Sequence, residues 1–487
     1  MTGPIPSTPL IDRVIAGGYC VGCGACAAAA PEDFGMRLTE TGCWTAEARA
    51  PAAARAHDIS ALCPMSGAGP DETAIAAERF PDAPEHPEIG RHLLCGAGWV
   101  EEDAFRSRGS SGGMLSWLAT RLLEDGHVDA VIHVAPNPDA DGAPFAFRTS
   151  ETAADIAAGA KSRYSPVTMA GIAAEICQTD RRVAFIGLPC FVKAMRTLAR
   201  EDPVIEARVP VMLGLICGHL KSRAFAELLA WQHGIPPERL GLIDFREKLP
   251  DLPASSYGFR ATGRDGTETA AAPMSETFGG DWGLGLFKYK ACDFCDDVLA
   301  ECADAAIGDA WLPEYQADWR GTNVFVARTP AIVSLIEAGR ARDALHYEEI
   351  GPDRVADSQR SGLRHRREGL AWRLARADRA GEWRPARRIG PSTVISLQRR
   401  HIYDARSVLL ERSHALFLKA RMVENLQMFL DEMAPYVARY RAAYASPPQS
   451  ALRRRVVALI KRILPSSAVA LIRRTIRRPA GNNAARR

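Results

Sequence analysis

The tightest constraint in this sequence is a run of three cysteines, Cys20, Cys23 and Cys26, spaced two residues apart in CVGCGAC. Thiolates at this spacing can turn inward around one inorganic cubane. The small residues between them, Gly22, Gly24 and Ala25, leave backbone N–H groups free to point at sulfur. Where such a run serves two clusters it continues to a Cys-Pro pair; here that offset holds Ala30-Pro31, so the fourth ligand comes from elsewhere. Cys63-Pro64 is the best candidate. Cys43, in TGCW, is the competitor and reads as a small buried residue in a hairpin turn. Structural zinc also takes four thiolates, but its sites usually pair two C-x2-C units at a distance.

Twelve cysteines occur in all. The first nineteen residues carry no secretory signal, and no stretch approaches the roughly 18 to 20 apolar residues that span a bilayer. The chain is therefore expected in the cytoplasm, where clustered cysteines serve metal or redox chemistry rather than disulfides. A composition 47% hydrophobic and 24% charged excludes disordered and fibrous classes, and 487 residues exceed what one core organises.

Residues 1–75 read as a small metal-organised unit. From about 90 to 345, short β-branched runs alternate with helical ones, which predicts a mixed α/β core. VDAVIHV, RVAFIG and VPVMLGLIC read as strands, and MLSWLATRLLEDG as a helix ended by Gly126. The core divides into 90–205, which the residues and resemblance given below make a flavin-binding region, and 206–345, which carries further cysteines. Residues 346–450 read as a helical appendage, with apolar residues three and four apart in RRHIYDARSVLLERSHALFLKARMVENLQMFLDEM, and 451–487 as a basic amphipathic tail.

Cys190 in AFIGLPC and Cys217 in VMLGLIC each follow a predicted strand. If those strands are parallel, both thiols emerge at the carboxyl edge of the sheet, where α/β folds place ligands. Cys292 and Cys295 form C-x2-C in KYKACDFCDD, bringing the number to the four that a cubane requires. Singly, each is a weak signal, since a lone cysteine after a strand is more often inert core. Cys95, Cys177 and Cys302 have no partner at ligand spacing and are assigned to packing. Ser110, Ser111, Gly112 and Gly113 precede a helix in SRGSSGGMLSWLA, and GAKSRYSPV adds Lys161, Ser162 and Tyr164. Free N–H groups, close approach at glycine and hydroxyls suit a phosphate or a flavin edge. An ordinary helix cap and a surface turn explain the same residues. No G-x-G-x-x-G follows a strand, and no Walker loop, H-E-x-x-H or Ser-His-Asp set is evident. No catalytic residue is assigned; His133, His219 and Asp309 are not separable by position.

Taken together, CVGCGAC, SSGGMLSWLA, GAKSRYSPV, VAFIGLPC, GLICG and CDFCDDVLAECADAAIGDAW resemble the coenzyme F420 hydrogenase/dehydrogenase beta-subunit family, which includes 7-hydroxymethyl chlorophyll a reductase-like proteins. The resemblance covers about residues 15 to 330. It implies FAD held against one of two 4Fe-4S clusters. By the family pattern Cys190, Cys217, Cys292 and Cys295 hold the cluster nearer the flavin. Cys20, Cys23, Cys26 and Cys63 hold the outer one, facing a ferredoxin-like donor or redox partner subunit. Ser110 to Gly113 and Lys161 to Tyr164 touch the flavin, which serves a small-molecule acceptor. The function expected is a flavin- and iron-sulfur-dependent oxidoreductase, with a non-catalytic electron-transfer subunit as the alternative. The segment beyond 345 has no counterpart in the family's short forms.

Residues 451–487 hold eleven Lys and Arg and no Asp or Glu, against a net charge of +3 for the whole chain, so the body is acidic. Val456, Val457, Leu459, Ile460, Ile463 and Leu464 alternate with the charges as an interfacial helix requires, and each basic residue near an anionic bilayer contributes about 1 kcal/mol. A peripheral membrane contact competes with a plain solvated end; nucleic acid is the less favoured target. In liposome flotation on anionic vesicles, a chain ending at Ser450 is expected to lose the recovery shown by the full chain. Equal recovery contradicts the membrane reading.

Overall fold

The computed structural model describes residues 8–137, 143–250 and 252–445. The basic tail at 451–487 lies outside the described residues. Eight strands form one mixed sheet: β1 (Leu94–Val100), β2 (Ala130–Pro136), β3 (Phe145–Ser150), β4 (Val183–Gly187), β5 (Val211–Leu215), β6 (Ala305–Asp309), β7 (Asn323–Ala327) and β8 (Leu345–Glu349). Their order is β8-β1-β7-β6-β5-β4-β2-β3. The runs read as strands from sequence are β2, β4 and β5. β2, β4, β5 and β6 are mutually parallel, and the outer strands are antiparallel additions. β8 crosses the division expected at residue 345.

Alternation along the parallel strands sorts side chains to two faces. Val131, Ala184, Leu213 and Ile307 face one way, and Ile132, Phe185, Met212 and Ala306 the other. The first face is covered by helices Met114–Glu124 and Pro330–Ala341 through Trp117, Leu118, Ile332 and Ile336. The former ends as expected, with Gly126 in the left-handed region at φ +74°. The second face carries helix Pro189–Glu201, through Phe191, Met195 and Leu198, and against it the cysteine-bearing unit through Val21, Cys23 and Leu62. That unit comprises helix Leu10–Ala16, the short helix Ala25–Ala29 and the hairpin Phe34–Leu38 with Trp44–Ala48. Cys43 closes the hairpin turn, its N–H donating to Thr39 Oγ1 at 3.0 Å.

Past residue 350 the chain forms helices Pro352–Ser358, Arg360–Arg366, Glu368–Ala380, Leu397–Met422 and Leu426–Tyr444. This is the helical C-terminal region expected, and it packs into the core of the sheet domain. Leu370, Leu374, Ile402, Leu409, Phe417, Phe429 and Met433 are buried in the same core as Leu228 and Phe287, because an apolar helix stripe is stable only when covered. The Phe287 ring meets Phe417 at 5.3 Å and Phe429 at 5.9 Å. The apolar pattern that runs unbroken from 399 to 433 divides into two helices. Glu424 turns left-handed at φ +50° and Asn425 caps the second helix, its side chain accepting from the Met428 N–H at 3.0 Å.

Among the described residues no helix is long and apolar enough to cross a membrane. Cys95 and Cys302 are buried, as packing residues should be, but Cys177 is exposed. It ends helix Ile172–Cys177, whose buried side is carried by Ile172, Ala173 and Ile176.

One contact joins the long helix to the sheet domain and titrates. His414 Nδ1 donates to the Leu410 carbonyl at 3.1 Å, which leaves Nε2 to accept from Ser222 Oγ at 3.0 Å. Burial, aided by the Lys221 charge and opposed by the Leu410 carbonyl, lowers its pKa to about 4. The folded chain thus binds fewer protons than the unfolded chain between its ordinary value near 6.5 and about 4. The stability from this contact is present above pH about 6.5 and is lost as pH falls through that window. His414→Gln is expected to flatten the fall of the thermal midpoint between pH 6.5 and 4; an unchanged profile contradicts this.

Candidate functional site

The amino-terminal cysteines reach one place because the backbone between them is left-handed at both glycines, Gly22 at φ +73° and Gly24 at φ +87°. A side chain at Gly22 would also strike Trp44 at 2.7 Å. Cys26 sits in the first turn of Ala25–Ala29, and Cys63 follows the turn Ser60–Leu62. Burial comes first in raising the Cys23 thiol well above its usual range, and its neighbours Cys63, Cys26 and Cys20 add to it. The same burial and crowding push Cys26 up to about 12, while burial and Cys20 push Cys63 to about 11. Cys20 Sγ accepts from the Gly22 and Ala46 N–H groups at 3.3 and 3.4 Å, contacts that favour a bound thiolate. Cys63 crowds Cys20, Cys23 and Cys26, whereas Cys43 meets the triad through Cys20. Cys43 lies instead near Cys292 and Cys20, against the Tyr289 hydroxyl.

The second set forms at the carboxyl ends of adjacent parallel strands. Cys190 is in the first turn of Pro189–Glu201 after β4, and Cys217 is two residues past β5. Cys292 lies in the turn Lys290–Phe294, and Cys295 directly follows it. The Cys217 N–H donates to the Val298 carbonyl at 2.9 Å, and the Leu220 N–H to Cys292 Sγ at 3.2 Å, which ties the strand ends to the C-x2-C loop. Burial drives the Cys190 thiol well up, with Cys295, Cys217 and Cys292 next in effect and then Cys23. Cys23 belongs to the first set, so the two quartets are neighbours. Reactive cysteines have lowered pKa values; burial takes these the other way, so they are not activated nucleophiles.

Donor chemistry fits clusters in both places: four thiols each, with N–H groups aimed at sulfur. Among the described residues no group of three or more His, Cys, Asp or Glu side chains could hold a single metal ion.

The two loops read as flavin contacts meet each other. Ser110 Oγ accepts from the Ser162 N–H at 2.7 Å. Lys161, left-handed at φ +85°, is paired with Asp244, and Tyr164 packs on Phe245 and Trp282 at 5.2 and 4.6 Å. Ser111 and Gly112 face the sheet instead. Ser111 Oγ donates to the Thr322 carbonyl at 2.9 Å, and a side chain at Gly112 would meet the Gly98 carbonyl at 2.6 Å and Asn323 Oδ1 at 2.8 Å. Gly113, at φ +84°, starts the helix. Two cavities, of about 390 Å³ beside Arg79 and Glu206 and about 360 Å³ beside His92 and Glu349, lie away from these loops. His133 bonds Ser150 Oγ at 2.8 Å. His219 stacks on Trp282 at 4.6 Å with Nε2 unpartnered. Asp309 is clamped by Arg246 at 2.7 and 3.1 Å.

Sequence reasoning missed the arginines. Arg246 bonds the Ser110 carbonyl at 3.1 Å as well as Asp309. Arg387 bonds the Phe294 carbonyl and the Met65 carbonyl at 3.2 Å, strapping the loops of both quartets. Arg388 grips Glu301 at 2.7 and 2.9 Å. Their only trace in the sequence is the Arg-rich composition past 346 and a lone arginine in DFREK.

Comparison with known proteins joins these motifs. A profile for the N-terminal part of the coenzyme F420 hydrogenase/dehydrogenase beta subunit matches residues 95–173, and one for its C-terminal part matches 180–353. The chain belongs to this family. The second cysteine quartet and both candidate flavin loops fall within the matched family segments; the first quartet precedes them, and Arg387 and Arg388 follow. A coenzyme F420-dependent sulfite reductase of Methanocaldococcus jannaschii is 24% identical over 258 residues, which are 50% of this chain and 36% of that protein. The chain thus spans about a third of that relative's length. A chain of the F420-reducing [NiFe] hydrogenase complex from Methanosarcina barkeri superposes with a TM-score of 0.45 at 15% identity, covering 64% of this chain and 100% of that one.

The helix start beneath these loops depends on one amide. Asn323 Oδ1 accepts from the Met114 N–H at 3.0 Å while its NH2 donates to the Gly308 carbonyl at 2.9 Å. Asn323→Ala strands the buried Met114 N–H, at about 1–3 kcal/mol, and frees the partly buried Gly308 carbonyl. A clear fall in thermal midpoint is expected, and a midpoint equal to wild type contradicts it.

Proposed function

We propose that this family member is a flavin- and iron-sulfur-dependent oxidoreductase. One 4Fe-4S cluster is held by Cys20, Cys23, Cys26 and Cys63 and the other by Cys190, Cys217, Cys292 and Cys295. They link a ferredoxin-like donor or redox partner subunit to FAD and an organic acceptor. The observation that carries this reading is the adjacency of the two quartets, with Cys190 within electrostatic reach of Cys23. Relatedness to redox enzymes supports it. Bound FAD supplies the exchange between paired and single electrons. The chain's part is positional. The Ser110 to Ser162 bond joins the loops carrying Ser110, Ser111, Gly112, Gly113, Lys161, Ser162 and Tyr164, the residues assigned to the flavin. Arg246 fixes that junction to Asp309 at the end of β6. Twelve free cysteines suit a reducing, cytoplasmic setting.

A non-catalytic electron-transfer subunit of a larger redox complex is the second reading. It is favoured by the engagement of His133 with Ser150 and of Asp309 with Arg246, which leaves neither free as a proton donor.

Anaerobic purification is expected to give a coloured protein with about eight irons and eight sulfides per chain and a released flavin. Cys295→Ser should lose about half the iron. A colourless chain carrying only zinc contradicts both readings. Turnover of an acceptor by the isolated, chemically reduced chain selects the enzyme; its absence selects the relay.

A further inference from the structure

The helices beyond the family match place positive charge against the second quartet. Arg366, last in Arg360–Arg366, is 4% exposed and lies past residue 353, where the family match ends. Its Nη2 donates to the carbonyls of Gly218 at 2.6 Å and Cys217 at 3.3 Å. Among the described residues no carboxylate stands within ion-pair distance of it. Other buried guanidiniums are better served: Arg196 pairs with Asp304 at 2.8 Å, and Arg328 donates to four backbone carbonyls.

Arg366 also has company. Lys221, Lys288, Arg373 and Arg406 are all buried nearby, and among the described residues only Asp293 forms ion pairs with any of these cations, to Lys288 at 2.5 Å and Arg373 at 3.6 Å. Burial holds Lys221 well below its ordinary range and Lys288 down to about 8, whereas a guanidinium stays charged, so the fixed positive charge of this wall is that of Arg366, Arg373 and Arg406. The groups before it are Cys217, Cys292 and Cys295. Although burial opposes the Arg366 charge, these thiols hold it above its ordinary range, with Asp297 adding less.

We propose that the carboxy-terminal helices are part of the redox centre, with Arg366 as the fixed counter-cation that sets the reduction potential of the cluster on Cys190, Cys217, Cys292 and Cys295. This rests on the functional reading above. One electron from a reductant such as dithionite or a ferredoxin-like donor takes the cluster and its four thiolates from about −2 to about −3, and no bond forms or breaks. A cation in a poorly polarisable interior stabilises the more negative state more. Arginine remains charged throughout, so the effect needs no titration. Arg366 is a positioning residue of charge; it touches no acceptor.

The test is an EPR-monitored potentiometric titration of the full chain, purified anaerobically. The signal absent from Cys295→Ser identifies the cluster in question. Arg366→Gln is expected to move that midpoint to more negative potential and leave the other cluster's midpoint in place, while Arg366→Lys moves it less. Arg406→Gln, whose guanidinium bonds Nε2 of the neighbouring His365 at 2.9 Å, should move it in the same direction and carries the test if Arg366→Gln does not fold. Both signals present with unchanged midpoints overturn the proposal. A wild-type chain with no iron-sulfur signal overturns the underlying functional reading instead.

Discussion

Everything in this structure is arranged around the cost of burying thiols together. Eight cysteine side chains form two quartets inside the protein, and burial plus mutual crowding raises nearly all of them, Cys217 to about 12 and Cys295 to about 11. As small apolar groups the thiols can pack in a core; in the proposed function a cationic inorganic core would take their protons' place. The parallel strands β4 and β5 supply the geometry, since their carboxyl ends bring Cys190 and Cys217 side by side, and the turn at Lys290–Phe294 completes the set.

The rest of the chain holds those loops still. Helix Pro189–Glu201 anchors Cys190 at one end and docks the amino-terminal unit on its flank, with Lys193 reaching Glu72 at 3.1 Å. Trp383 accepts from the Tyr19 hydroxyl at 3.1 Å, and Arg387 and Arg388 follow at once, tied to the Met65, Phe294 and Glu301 regions. The carboxy-terminal helices thus close over loops from both quartets, and their removal would expose the cysteine-bearing turns to water and oxygen. The family match covers the sheet and the segment that carries Cys190, Cys217, Cys292 and Cys295, and it ends at residue 353, before the covering helices.

The parts legible in sequence were those set by local chemistry. β2, β4 and β5 announced themselves as β-branched runs, Gly126 as a helix stop, and the triad at Cys20, Cys23 and Cys26 by spacing alone. Long-range features were opaque. Cys190 and Cys295 are brought together by chain topology, which no spacing encodes, and motif resemblance rather than composition linked them. The helical segment looked like an appendage because its arginines disguise an apolar stripe: Arg366, Arg373 and Arg406 are buried against carbonyls, an aromatic ring or His365 rather than solvated. Cys177 failed for the opposite reason, as a residue type usually buried that sits on the open side of a short helix. The flavin loops fall between, since Ser110 and Ser162 do meet while Ser111 and Gly112 turn to the sheet.

Anomalous X-ray scattering at the iron edge, from anaerobically grown crystals, addresses the central claim most directly. Two compact multi-iron peaks are expected, one enclosed by Cys20, Cys23, Cys26 and Cys63 and the other by Cys190, Cys217, Cys292 and Cys295. Single-atom peaks at the zinc edge, or thiol quartets with no iron between them, would contradict the account.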